Sequence, residues 1–170
     1  MTDRPSKPTI AQIREISQPL SVTGRSNAEH WVADLYLRKL SPYLTRLLLK
    51  TPITANGVTY LMIATGVSIS AALLIPGYTG ILLALLLSQL QMLWDCCDGE
   101  IARWRNTQSP KGVFLDRVGH YLTESLIPVA FALRLAGWPE QEISDWKLPF
   151  LGALISIMIL WNKGFNDIVH

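Results

Sequence analysis

A group of ionisable side chains follows the second long apolar segment of the chain. Asp95 and Asp98 are three residues apart, and Asp116 and His120 are four apart, so the members of each pair share one face of a helix. A short turn between the two helices would bring these faces together. Divalent cations bind carboxylate oxygens, and Mg²⁺ commonly pairs them with substrate phosphates. We therefore predict a metal site made by these four side chains.

Small and cationic residues beside the acids predict a diphosphate site. Gly99 and Ala102 would let backbone or a bulky ligand approach closely. Arg103 is suited to bidentate contact with a phosphate. Gly112 would open the next helix, whose N-terminal amides attract anions. Together with the acids, these residues indicate that a phosphorylated ligand binds at one edge of a membrane.

Composition indicates that these residues belong to a membrane protein. Of the 170 residues, 49% are hydrophobic and only 16% are charged, whereas soluble domains carry about 25% charged residues. A net charge of +2 argues against a nucleic-acid-binding protein. Cys96 and Cys97 are adjacent and imply no disulfide framework. The first thirty residues contain no apolar core typical of a secretory signal.

Four apolar segments predict an all-α, polytopic transmembrane helical bundle. A spanning helix needs about 17–20 mostly apolar residues, and the third segment is the weakest because its first half is charged. Lys and Arg are in excess before the first segment and between the second and third. This excess predicts a cytoplasmic N-terminus and a cytoplasmic active site in a multi-pass protein of the cell inner (plasma) membrane. The predicted spans are residues 58–75, 80–94, 113–136 and 148–161.

The N-terminal part of the chain is predicted to lie outside the bilayer. Residues 1–25 are polar and predict a flexible cytoplasmic segment. Residues 26–50 predict amphipathic juxtamembrane helices, one beginning at Ser26 and a second at Ser41. Their cations suit anionic lipid head groups, and the alternative is that they are ordinary soluble helices packed on the cytoplasmic loops. Residues 51–170 are then the transmembrane domain.

The acidic motif resembles that of the CDP-alcohol phosphotransferase (CDP-alcohol phosphatidyltransferase) family, which reads D-x2-D-G-x2-A-R-x8-G-x3-D-x3-D. The last position differs, because His120 stands where the family has a fourth aspartate. The stretch TPITANGVT also resembles the start of the family's first span, with Asn56 at its asparagine and Ala55 in place of the usual proline. The resemblance covers roughly Ser41 to Trp161. The seven matching positions are Asp95, Asp98, Gly99, Ala102, Arg103, Gly112 and Asp116.

This resemblance implies an integral membrane transferase of phospholipid biosynthesis. Such enzymes move a substituted phosphoryl group from a CDP-alcohol to an acceptor alcohol and release CMP. The membrane setting suits a donor with lipid tails, such as CDP-diacylglycerol. Family members are usually homodimers with six transmembrane helices, so the last two are expected to be missing here. The resemblance also implies two divalent ions, Mg²⁺ or Mn²⁺, held by Asp95, Asp98, Asp116 and His120.

Roles for individual residues follow from the same resemblance. Asp116 and His120 are implied to be catalytic, with His120 in the place of the base for the acceptor hydroxyl. Arg117, Arg134 and Lys163 are candidates for acceptor binding by charge alone. The implied CDP-binding residues are Asn56, Thr59, Asp95, Asp98, Gly99, Ala102, Arg103 and Gly112.

The histidine leaves two alternatives open. Imidazole titrates near pH 6.5 and is a common general base, so an active enzyme is favoured. It suits Mg²⁺ less than a carboxylate does, so an inactive or altered family member is the alternative.

A divalent-cation transporter is a rival class, but its carboxylates should recur at mid-membrane. A prenyl-diphosphate transferase is the alternative among enzymes. The G-x2-A-R stretch that follows the aspartates in this chain argues against that class. Glu100 is expected to be exposed, and Glu124 to be a further polar group near His120.

Overall fold

A computed structural model describes residues 4–5, 8–23 and 33–169. These residues form helices joined by turns and contain no strand, which confirms the predicted all-α fold. The helix start predicted at Ser26 lies outside the described residues. A π-helical turn, Ala33–Leu37, leads directly into α3. The helices are α1 (Ile10–Ser17), α2 (Leu20–Thr23), α3 (Arg38–Leu48), α4 (Ala55–Leu73), α5 (Gly77–Arg105), α6 (Pro110–Leu135) and α7 (Lys147–Val169).

Short polar side chains fix where α4 and α6 begin. The Gly57 N–H donates to Thr54 Oγ1 at 3.0 Å, and the Gly112 N–H donates to Ser109 Oγ at 3.1 Å. Each hydroxyl satisfies a backbone donor that has no partner inside its helix. Pro110 occupies the first position of α6, where a missing N–H costs nothing. Both helices that carry predicted site residues near their N-termini therefore start at defined positions.

The start predicted at Ser41 is wrong, because α3 already runs from Arg38 and is preceded by the π-helical turn. Pro42 then lies inside a helix and cannot donate to the carbonyl of Arg38, four residues earlier. That carbonyl accepts instead from Gln18 Nε2 at 2.7 Å. A side chain from the end of α1 therefore satisfies the acceptor that the proline leaves open.

Three helices of the described chain are long and apolar enough to cross a membrane: α4, α5 and α7. They correspond to the predicted spans 58–75, 80–94 and 148–161. Helix α5 is longer than its predicted span and continues without a break through the acidic motif. Helix α6 corresponds to the predicted span 113–136 but, within the described residues, is not among the three. A membrane-spanning α6 stays a prediction.

The chain divides into two compact units. The first comprises residues up to Met62 together with Met92–Leu115. Its core contains Val58 from α4 and the pair Cys97 and Ile101 from α5, all fully buried. The start of α4 therefore packs against the part of α5 that carries the motif. Leucines of α3 pack on the same core, which brings α3 beside these two helices.

The second unit comprises Ile63–Gln91 and Asp116–His170. Helices α6 and α7 approach each other closely at Gly152, where an added Cβ would lie 2.5 Å from the Cβ of Ala132 and 2.7 Å from the carbonyl oxygen of Pro128. Small residues at such crossings allow close contact between membrane helices. The buried apolar core of this unit is formed by Ile69, Ala72, Leu73, Ala84 and Ala130.

Candidate active site

A buried hydrogen bond joins the start of α4 to the motif on α5. Thr59 Oγ1 donates to Asp98 Oδ2 at 2.6 Å, and the two residues are only 3% and 8% exposed. A hydrogen bond to a carboxylate is stronger than one between neutral groups, so it holds the Asp98 side chain in one orientation. Asp95 lies three residues earlier on the same face of α5 and is partly buried. Two predicted CDP-binding residues, distant in sequence, are therefore in direct contact.

Asn56 lies beside the start of α6 within the same unit. Its Oδ1 atom is 3.2 Å from the position that a Cβ atom on Gly112 would take. Any side chain at residue 112 would crowd this amide, which gives a steric reason for glycine. Thr54, rather than Asn56, caps α4. The asparagine and the glycine singled out from the sequence are therefore neighbours.

Arg103 occupies the space beside Gly99. Its two terminal nitrogens lie 3.0 and 3.1 Å from the position of an added Cβ on Gly99. Its Nε donates to the carbonyl oxygen of Ser17, the last residue of α1, at 2.5 Å. Carbonyls at a helix C-terminus have no partner within the helix, so this contact satisfies one of them. Gly99 thus accommodates the guanidinium itself, and Ala102 is partly buried on the same stretch of α5.

Glu100 is only 2% exposed, so the prediction that it is exposed is wrong. Its carboxylate accepts hydrogen bonds from Ser41 Oγ at 2.5 Å, Thr45 Oγ1 at 2.6 Å and Gln18 Nε2 at 2.8 Å. Ser41 and Thr45 are one turn apart on α3, so they share a face of the helix. This spacing is the sequence feature that could have indicated a shared partner. Nothing in the sequence pairs them with a residue more than fifty positions later.

In the second unit, His120 lies between two carboxylates on successive turns of α6. Its Nε2 is 3.7 Å from Asp116 Oδ1, and its Nδ1 is 3.4 Å from Glu124 Oε1. Lys163 from α7 approaches the same Glu124 oxygen at 2.8 Å. Glu124 therefore lies near His120 as expected, and it also connects α6 to α7.

Two of the three candidate acceptor residues lie near this end of α6. Arg117 Nε is 3.4 Å from Asp167 Oδ1 on α7, and the Tyr121 hydroxyl donates to the other oxygen of Asp167. Lys163 is one turn earlier on α7. Cations and carboxylates from both helices thus accompany Asp116 in the second unit.

Arg134, the third candidate, lies at the other end of α6. It is 18 residues after Asp116, which corresponds to about 27 Å along a helix axis. Its guanidinium donates to the carbonyl oxygens of Leu73, Ile75 and Gly77 at 2.7, 2.6 and 2.6 Å. These carbonyls belong to the end of α4 and the turn that follows it. Arg134 therefore stabilises this turn and is not brought near His120.

Asp95 in the first unit, and Asp116 and His120 in the second, are partly buried side chains that can each ligate a metal ion. Carboxylates and imidazole both suit Mn²⁺, whereas Mg²⁺ prefers oxygen ligands. Each unit therefore carries side chains whose chemistry fits a divalent cation of this kind.

An all-α fold whose described part includes three helices able to cross a membrane defines an α-helical membrane protein. A family model for CDP-alcohol phosphatidyltransferase matches residues 52–164, which is more than half of the chain. The chain belongs to this family, which has a general phosphotransferase role in phospholipid synthesis and uses divalent cations. A comparison with curated proteins gives no significant match.

Proposed function

We propose that this protein transfers a substituted phosphoryl group from a CDP-alcohol, such as CDP-diacylglycerol, to the hydroxyl of a polar alcohol and releases CMP. The observation that carries the proposal is the buried contact between Thr59 and Asp98, which unites the start of α4 with the motif. Apolar helices α4, α5 and α7 supply surfaces for lipid tails, which supports a lipid donor. The diphosphate of the donor would then lie at the motif.

In this proposal the first unit binds the CDP moiety. The positive charge of Arg103 attracts the diphosphate, and its planar guanidinium suits two parallel hydrogen bonds to phosphate oxygens. Gly99 and Gly112 have no side chain and so leave room for the Arg103 guanidinium and the Asn56 amide beside them. The full set proposed for CDP is Asn56, Thr59, Asp95, Asp98, Gly99, Ala102, Arg103 and Gly112.

Two divalent ions, Mg²⁺ or Mn²⁺, are proposed to be held by Asp95, Asp98, Asp116 and His120. Partial burial of these carboxylates supports the proposal, because removing charge from water is costly unless a cation compensates it. When bound, such ions neutralise diphosphate charge and orient the attacking and leaving oxygens. Within the protein, the bond from Thr59 keeps Asp98 oriented for this role.

His120 is proposed to be the base. With hydrogen on Nδ1, the tautomer that Glu124 favours, the ring has one lone pair, on Nε2. His120 therefore acts as the base when Nε2 is not bound to an ion, and Nε2 then takes the proton of the acceptor hydroxyl. The acceptor oxygen then forms a bond to the phosphorus that carries the alcohol, and the bond from that phosphorus to the oxygen of CMP breaks. Asp116 beside Nε2 stabilises the protonated imidazole that results.

Arg117 and Lys163 are proposed to bind the acceptor, because they lie at the same end of α6 as Asp116. Their positive charges suit an acceptor that carries a phosphate, such as inositol phosphate or glycerol phosphate. Arg134 is not part of this proposal, since its donors are already bonded to backbone carbonyls.

Helix α3 is proposed to lie in the membrane interface. Leu40, Tyr43 and Leu47 are each more than half exposed and follow one face of the helix, while Ser41 and Thr45 are buried. A soluble helix packed on loops would bury its apolar face instead. Exposed cations among these residues suit anionic head groups. The burial pattern therefore supports an interfacial α3 rather than the soluble alternative. Residues 26–32 of the predicted juxtamembrane segment 26–50 lie outside the described residues.

The same proposal includes the protein's setting. We propose a multi-pass protein of the inner (plasma) membrane with a cytoplasmic N-terminus and active site, because Lys and Arg are concentrated before α4, at the end of α5 and at the start of α6. We also propose a homodimer, by analogy with the family.

The direct test is a CMP-release assay with the full chain in liposomes. CDP-diacylglycerol is supplied with Mn²⁺ or Mg²⁺ and one acceptor at a time: inositol, inositol phosphate or glycerol phosphate. We expect metal-dependent CMP release with one acceptor, abolished by EDTA and by Asp98→Asn. Asp145→Asn, in an exposed loop, is the matched control and should leave the rate unchanged.

The other outcomes of this assay identify the alternatives. CDP binding without CMP release for any acceptor would indicate an inactive family member. Manganese flux across the liposome without any response to CDP-diacylglycerol would indicate a cation transporter. Either result would refute the transfer reaction.

A further inference from the structure

Glu100 directly follows Gly99 on α5, and its buried carboxylate accepts hydrogen bonds from side chains of α3 and of the end of α1. Ser41 and Thr45 of α3 donate to its two oxygens, and Gln18 beyond α1 donates to one of them. Ionised side chains are almost never this buried unless they have partners. Three hydrogen bonds supply those partners and fix α3 and the end of α1 against α5.

A second set of contacts connects the backbone of Glu100 to Arg103 through Ser17. The Ser17 hydroxyl donates to the Glu100 backbone carbonyl at 3.1 Å, and the Ser17 carbonyl accepts from Arg103 Nε at 2.5 Å. Ser17 is fully buried. Its neighbour Gln18 is one of the three donors to Glu100. The position of the Arg103 guanidinium over Gly99 therefore depends on where the end of α1 is held.

A carboxylate suits this site better than any other side chain. It offers two acceptor oxygens, and its negative charge strengthens every hydrogen bond that it accepts. The hydroxyls of Ser41 and Thr45 approach different oxygens of Glu100. Replacing Glu100 by Gln would preserve the size of the side chain but would turn these contacts into weaker hydrogen bonds between neutral groups.

We infer that Glu100 is a positioning residue for nucleotide binding: by holding the end of α1 and α3 against α5, it fixes Arg103 where the donor diphosphate binds. The inference rests on the proposed function, because it assigns Arg103 to the CDP site. Glu100 itself does not contact the substrate in this inference. Its effect on binding passes through Ser17 and Arg103.

The test is a double-mutant cycle read out by the affinity for CDP in the presence of Mn²⁺, using the full chain. Glu100→Gln is measured alone and in an Arg103→Gln background. We expect Glu100→Gln to weaken CDP binding about 10-fold when Arg103 is present, the effect of replacing a charged hydrogen-bond acceptor by a neutral one. In the Arg103→Gln background the same change should alter affinity by less than about two-fold.

Matched variants separate positioning from a general loss of folding. Glu15→Gln makes the same charge change at an exposed position of α1 and should leave affinity unchanged. Thr45→Val and Ser41→Ala each remove one donor to Glu100 and serve if Glu100→Gln does not fold. Hydrogen exchange should become faster over residues 10–18 in Glu100→Gln and in the two donor variants, because the end of α1 is held less firmly.

The outcomes distinguish this inference from the proposed function. Equal weakening with and without Arg103, or no weakening in Glu100→Gln and the donor variants, would overturn the positioning role while CDP binding by the unmodified protein stands. Failure of the unmodified protein to bind CDP would overturn the proposed function as well. Arg103-dependent weakening together with faster exchange would support the inference.

Discussion

The two units hold their polar groups in different ways. In the first, two carboxylates are buried and accept short hydrogen bonds from neutral donors: Asp98 from Thr59, and Glu100 from three side chains. In the second, Asp116, Glu124 and Lys163 are partly exposed and interact mainly as charges. The buried groups are fixed, whereas partly exposed ion pairs are weaker and adjust more readily.

This difference suits two separate tasks in one reaction. A nucleotide donor needs a preformed site, since fixed donors and acceptors lower the cost of binding. The groups around His120 must accept a proton and admit an acceptor alcohol, so their charges change during the reaction. We therefore expect changes in the first unit to alter donor affinity and changes in the second unit to alter turnover or acceptor affinity.

The largest expected effect comes from His120. His120→Ala removes the proposed base, so kcat should fall about 10²–10⁴-fold, the usual contribution of a positioned general base. The affinity for CDP, measured by direct binding, should change little because the donor residues lie in the first unit. CMP release at saturating donor and acceptor gives the measurement.

His120→Asp is the matched variant for this prediction, because it restores the family's fourth aspartate. It should keep far more activity than His120→Ala and should respond better to Mg²⁺, which prefers oxygen ligands. Equal turnover in the Ala variant and the unmodified protein would remove His120 from the mechanism.

A smaller effect is expected from Thr59→Val, which keeps the shape of the side chain but removes its bond to Asp98. Loss of a buried hydrogen bond to a charged group corresponds to roughly 10-fold in affinity or more. The KM for the CDP-alcohol should rise by this factor, with kcat affected less. Ser68→Ala is the control, since that exposed hydroxyl on α4 bonds only within its own helix. A change in kcat without a change in this KM would contradict the assignment of donor binding to the first unit.

The smallest effect distinguishes two cations of the second unit. Lys163→Gln should raise the KM for the acceptor about 3- to 10-fold if the acceptor carries a phosphate, because one charge-assisted contact is lost. Arg134→Gln should leave that KM unchanged and lower the melting temperature, since it frees carbonyls at the end of α4. Initial rates across acceptor concentrations, paired with thermal unfolding, test both variants. A raised KM for the acceptor in Arg134→Gln would show that Arg134 takes part in acceptor binding, contrary to its assignment here.

Local patterns made much of the fold predictable and selected residues for the candidate site. Apolar length placed α4 and α6 to within three residues at each end, because hydrophobic segments of this size have few alternatives to a helix. Motif spacing identified Asp98, and the contact with Thr59 agrees with the proposed shared site. These predictions depend on residues close together in sequence.

Long-range polar contacts could not be predicted in the same way. Gln18 and Glu100 are 82 positions apart, and nothing in either segment specifies the other. Burial of a charged residue also contradicts the usual behaviour of glutamate, so Glu100 was assigned to the surface. Arg134 was grouped with other cations by charge, although its place on α6 puts it about 27 Å along the helix from Asp116.

The unbroken course of α5 fixes the depth of the motif by residue count alone. Asp98 comes 21 residues after Gly77, or about 32 Å along the axis, close to the roughly 30 Å thickness of a bilayer's hydrocarbon core. A lipid anchored by its tails presents its phosphates at that same level. One residue added before Trp94 would rotate the aspartates by about 100° and displace them by about 1.5 Å. Under the proposed function, the length of α5 therefore places the motif at the level where a lipid donor presents its phosphates.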